Sequence, residues 1–106
     1  MKIGKQDALE KLSKIDSKFL TVFQHGTLAI KVYKPEKVDL QKPHSRDEVY
    51  VVISGNGTFY LDGQRTSFYV GDFLFVKAGL EHRFEDFTDD FSTWVIFYGP
   101  EGGEKA

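Results

Sequence analysis

Between Phe19 and Tyr98 the chain is cut repeatedly by turn chemistry, at His25-Gly26, Lys34-Pro35, Gly55-Asn56-Gly57, Asp62-Gly63 and Gly79. The segments left between these breaks are short and rich in Val, Ile, Phe, Tyr and Thr, which form strands rather than helices. That pattern limits the fold to an all-β sandwich or barrel. Asp62-Gly63 is the firmest local signal. It separates Thr58-Phe59-Tyr60-Leu61 from the run Gln64 to Val70, and a two-residue hairpin turn needs positive φ at both central positions. Ahead of the β region, Asp7 and Glu10 have the spacing of a capping box, and Ala8, Leu9, Leu12 and Ile15 share a helical face. One domain of 106 residues is expected: a short helix and lead-in over 1–18, a β-barrel over 19–98 and a Gly- and Glu-rich flexible tail over 99–106.

Charge and residue usage remove several functions. A formal net charge of −2 gives no basic surface for nucleic acid or an anionic membrane, so neither is expected as a partner. The absence of cysteine excludes disulfides, thiolate metal sites and a thiol nucleophile. Any metal must be held by histidine, carboxylate or amide oxygen. The opening MKIGKQDALEKLSKI lacks the apolar run of a signal peptide, and we expect a cytoplasmic protein.

One residue breaks the strand pattern. Glu48 stands at the entrance of Val49-Tyr50-Val51-Val52-Ile53, a run apolar on both faces. Alternation puts Glu48, Tyr50 and Val52 on the inner face and Val49, Val51 and Ile53 on the outer. An inward carboxylate costs several kcal/mol unless something compensates it. Three partners are conceivable: solvent at a barrel mouth, a cation such as Arg46, Arg65 or Arg83, or a metal ion that also takes His44. In a second stretch, Gly71 to Phe84, His82 and Phe84 fall inward while Arg83 and Glu85 fall outward. His25 lies in a turn without a partner and reads as structural, and Asp89-Asp90 as a solvated loop.

These two stretches resemble the motifs of the cupins. His44, then Glu48, then six residues and Gly55 match the second half of the first motif; Gly71, Lys77-Ala78-Gly79 and His82 match the second, with Asp86 at its final position. The resemblance implies a cupin-type double-stranded β-helix, a jelly-roll barrel with a short N-terminal helix. It also implies one divalent metal ion, Fe, Zn, Mn or Ni, held by His44, Glu48 and His82. Two histidines and a carboxylate are the ligand set of facial-triad iron sites with open positions. The family's first histidine would fall at position 42, where this chain has Lys42, so Gln41 or Asp39 becomes a candidate fourth oxygen. Tyr50, Phe75, Phe84, Trp94 and Phe97 are candidates to line the barrel and its ligand pocket.

The function implied is that of a mononuclear metal protein acting on a small polar organic molecule, as an oxygenase or as a Lewis-acid isomerase or lyase. The alternative is a non-catalytic module that holds a small ligand such as a sugar or carboxylate, and a third reading is an inactive relative. The outer faces of Val49, Val51 and Ile53, and of the run Trp94 to Tyr98, leave an apolar surface that predicts a homodimer.

Overall fold

The computed structural model describes residues 1–105, so the last residue of the predicted tail lies outside the described residues. Among these, helix α1 (Lys5–Ser13) precedes eight strands: β1 (Phe19–His25), β2 (Leu28–Tyr33), β3 (Asp47–Ser54), β4 (Gly57–Leu61), β5 (Gln64–Phe68), β6 (Phe73–Val76), β7 (His82–Glu85) and β8 (Ser92–Tyr98). They form two antiparallel sheets, one in the order β1-β2-β8-β3-β6 and one in the order β5-β4-β7. This is the all-β jelly-roll barrel expected. The β4–β5 hairpin turns at Asp62 and Gly63, with φ of 47° and 89°, the positive pair a tight turn of this kind requires. Among the described residues no helix is long and apolar enough to cross a membrane.

Between the sheets, Tyr50, Val52, Phe59, Phe68, Phe84 and Phe91 belong to one buried cluster. Phe84 is its hub, with ring centroids 4.6 Å from Phe91, 4.9 Å from Tyr50, 5.0 Å from Phe59 and 5.2 Å from Phe68. These tilted and edge-on contacts fill that end of the barrel with hydrocarbon.

A second, smaller cluster lies on the outside of the large sheet. Ala8 and Leu12 of α1 pack there against Val32 and Ile53, with Trp94 alongside. The helix starts earlier than the capping-box spacing predicted: Gly4 is the N-cap, without a side-chain hydrogen bond, and Asp7 sits in the first turn. A carboxylate there still favours the positive end of the helix dipole. Ile15 lies beyond the helix and is exposed. The expectation that Val49, Val51 and Ile53 leave an apolar outer surface is corrected in part, because Ile53 is buried against α1. What stays open is the β6 edge. There Phe73 and Phe75, 65% and 44% exposed, lie opposite half-buried Val51 and Val49.

The segment after β8, expected to be loose, is tied down through Glu104. Gly102 N–H donates to the Ser45 carbonyl, and Glu104 N–H to Asp47 Oδ2. Ala78 N–H takes the other Asp47 oxygen, and Gly79 N–H the His44 carbonyl. Four backbone donors from two loops therefore hold the stretch His44 to Asp47 in place.

Candidate metal centre

Glu48 is fixed inward by its register, opposite Phe97 on β8 and Val76 on β6. It is fully buried, which removes solvent as its partner. The arginines are also spoken for. Arg46 donates to the carbonyls of Gly99 and Thr27, while Arg65 and Arg83 both engage Glu85. What faces Glu48 instead is a pair of imidazoles, with His82 Nε2 at 2.8 Å and His44 Nε2 at 3.7 Å from Oε1. One ligand atom from each of His44, Glu48 and His82 lies within 4.8 Å of the others.

The protonation of these groups follows from their neighbours. His82 Nδ1 is 2.9 Å from the Leu80 carbonyl, which can only accept, so that nitrogen carries a proton. Nε2 then faces both Glu48 and the Tyr50 hydroxyl oxygen, which is 3.1 Å away: a neutral ring turns a lone pair there, and a charged ring a second N–H. Both Glu48 oxygens lack a hydrogen bond, because the close approach of Nε2 does not have hydrogen-bond direction. The Glu48 oxygens and two imidazole nitrogens thus converge on one space, and with the rings neutral their electron pairs make an arrangement a cation would stabilise. The donor set fits a divalent metal ion.

Burial lowers the His44 pKa, the Glu48 charge opposes this, and the charges of His82 and Lys31 add to the lowering. At His82 burial also acts downward, but contact with Glu48 and the Leu80 carbonyl outweigh it and the pKa is raised. Tyr50 is pushed well above the ordinary phenol value by burial and by the Glu48 charge. It stays a neutral donor.

Gln41 enters the same space. Its Oε1 accepts from the Tyr50 hydroxyl at 2.9 Å and lies 3.2 Å from His44 Nε2. The amide is oriented by Asp39, whose Oδ2 accepts from Gln41 Nε2 at 2.7 Å, so that the oxygen must face the imidazoles. Asp39 itself takes no part in the cluster. It is buried and accepts from the Tyr33 hydroxyl and from Gln41 and Phe84 N–H groups. Lys42 is exposed, so the position of the missing motif histidine points to water and its neighbour Gln41 supplies the polar atom. His25 is exposed on a hairpin, apart from the cluster.

Beside this centre is a cavity of about 400 Å³, whose lining includes Gln41, His44, Lys31, Tyr33, Val95 and Phe97. Phe97, anticipated as a lining residue, is there. Two other anticipated residues face the wrong way. Trp94 pairs with Val51 and packs towards α1, and Phe75 pairs with Val49 on the exposed side of β6. Both strands are apolar on each face, so hydrophobicity alone did not show which side was inward. Tyr50 and Phe84 are core residues behind the cavity rather than its walls. Lys31 was missed. Its signal is a charged residue at an inward position of β2, between Ala29 and Tyr33.

Comparison with known proteins adds the following. A family model described as a cupin domain matches residues 29–97. An uncharacterised protein of Streptomyces coelicolor is 31% identical over 104 residues, covering 95% of this chain and 99% of that one. An acireductone dioxygenase of Rhodopseudomonas palustris is 47% identical over 45 residues, which are 39% of this chain and 27% of that protein. Among solved structures, a protein from Neisseria meningitidis superposes with a TM-score of 0.70 at 18% identity, over 93% of this chain and all (100%) of that one.

Proposed function

The chain belongs to the cupin domain family, and from that premise we propose that it is a mononuclear metal protein acting on a small polar organic molecule in the cytoplasm. His44, Glu48 and His82 would hold one divalent ion, with Gln41 Oε1 as a fourth donor. The observation that carries this reading is the fully buried Glu48 carboxylate with neither oxygen hydrogen-bonded, set against two imidazole nitrogens. A bound divalent ion of this kind supplies Lewis acidity or, if it is iron, dioxygen chemistry. The protein's own contribution is positional. Asp39 fixes the Gln41 amide, the Leu80 carbonyl fixes the His82 tautomer, and Tyr50 keeps a proton beside both groups. The sheet interior excludes water from the Glu48 side and leaves His44 open to the cavity.

Dioxygen chemistry and Lewis-acid chemistry can both be carried by this ligand set, so both stay within the proposal. Elemental analysis of untagged protein, purified without chelator, tests it. About one equivalent of Fe, Zn, Mn or Ni per chain is expected, and protein that neither contains nor takes up any of them overturns the metal reading. A second copy of the chain is proposed on the open β6 edge, where Phe73 and Phe75 sit beside Val49 and Val51. Sedimentation as a monomer at micromolar concentration would remove that dimer.

A further inference from the structure

We infer that the cavity beside the proposed metal centre is built for an organic acid with an apolar body, whose carboxylate sits on Lys31. Lys31 shares the inner face of β2 with Ala29 and Tyr33, as its register opposite Val95 requires. Its ammonium lies 5.2 Å from the centre of the Phe19 ring and 5.3 Å from that of Phe97. Among the described residues no carboxylate pairs with it. The acids nearby are engaged elsewhere: Glu36 with Lys18 at 3.0 Å, Asp39 with Tyr33 and Gln41, and Glu48 against the histidines. Two aromatic faces hold this half-buried ammonium at the cavity, and an anion is the partner it is left to take.

The rest of the cavity narrows the choice. Its volume of about 400 Å³ lies within the range of small-molecule sites. Phe19, Val38, Leu40, Val95 and Phe97 supply its apolar wall, and the Lys18–Glu36 pair also lines it. A sugar would lay part of its hydroxyls against these apolar side chains, where they lose hydration without a partner. An acid with one charged end and a hydrocarbon body would not. Phe97 also bridges the two polar ends, since its ring centre is 5.3 Å from Lys31 Nζ and 5.1 Å from the His44 ring. The carboxylate therefore belongs at Lys31, the body along Phe97, and any second polar group towards Gln41 and His44. This inference rests on the proposed function for what the second polar group would meet, and on Lys31 alone for the carboxylate.

The test uses phenylacetate and hexanoate against their neutral amides, titrated by NMR chemical shift into parent protein, metal-loaded and chelator-stripped, and into Lys31→Met and Lys31→Arg. Each acid is expected to bind roughly tenfold more tightly than its amide, the ratio that one favourable charge contact of about 1.4 kcal/mol gives. Lys31→Met should weaken the acids until they bind no better than their amides, and Lys31→Arg should keep the preference. The preference should survive metal removal, so a failed metal reading leaves this result standing. Equal binding of acid and amide, no binding by any probe at millimolar concentration, or a preference that persists in Lys31→Met overturns the inference. So does a preference seen only in metal-loaded protein, which would place the carboxylate on the ion.

Discussion

Glu48 and Glu85 are the same side chain in opposite circumstances. Glu85 ends β7 on the outer side of the small sheet, where Arg65 Nε and Arg83 Nε reach its two oxygens at 2.7 and 2.8 Å. Both guanidinium groups lie over the Tyr60 ring, at 4.8 and 4.1 Å. Every electron pair Glu85 offers along those directions has a donor, and water reaches the remainder. Among the described residues neither Glu48 oxygen has a hydrogen bond, and the buried group faces only the nitrogens of His44 and His82. A carboxylate satisfied by arginines needs nothing further, while one facing two imidazoles stays costly until a cation arrives, either a proton on the ring or a metal ion. The unsatisfied group, rather than the more heavily bonded one, marks the place for a ligand.

The largest expected difference between the two follows directly. Glu48→Gln should lower metal affinity by more than about 100-fold, exceeding what loss of an outer-shell partner costs, while Glu85→Gln should retain full metal content. Equal metal in both variants, measured by elemental analysis after dialysis, would erase the distinction. Next in size is His82→Ala. In chelator-treated protein it leaves Glu48 buried with one fewer partner, and about 3 kcal/mol of stability should be lost in urea unfolding. Glu48→Leu combined with His82→Ala should recover most of that loss, because no charge is then left inside. If the double variant is as unstable as the two single losses added together, the two residues are not coupled.

How far the sequence carried this picture depended on whether a residue sat in an alternating segment. Glu48 and His82 are readable because each is a polar residue at an inward position of a strand, and two-residue periodicity settles its side. Trp94 and Phe75 are not, since their strands are apolar on both faces and only the pairing with Val51 and Val49 decides direction. The cover that α1 gives Ile53 depends on a docking that no local pattern encodes. Asp39 and Gln41 lie between β2 and β3 on chain without periodicity. Gln41 was reached only by asking what replaces a missing histidine, and the bond from Asp39 that aims its oxygen was not legible at all.

That bond gives the next prediction in size. Asp39→Asn keeps the shape but replaces one of two accepting oxygens by an amine, which cannot hold Gln41 Nε2 and also accept from Tyr33 and Phe84. The Gln41 amide is then free to turn its nitrogen towards the imidazoles. Metal affinity should fall about tenfold, the cost typical of a lost partner behind a ligand. Unchanged affinity in a competition titration would show that Gln41 contributes nothing to the centre. It would leave the three-ligand set of His44, Glu48 and His82 intact.

The smallest effect belongs to Glu85, and its sign is fixed by the direction of its shift. Arg65, and then Arg83, hold the Glu85 carboxyl below its ordinary value through hydrogen bonds and charge. The folded state therefore favours the ionised form. Its stabilisation is complete above the ordinary carboxylate range and is lost as pH falls through the lowered folded value. Because the group is on the surface, salt screens it as well. Parent protein should be slightly more stable than Glu85→Gln at neutral pH in low salt. The gap should close both in acid below the lowered value and at neutral pH in about 1 M salt, where the screening length is only about 3 Å. A gap that widens on acidification, or that ignores salt, would mean that Glu85 acts through packing rather than charge, and the contrast with Glu48 would lose its electrostatic basis.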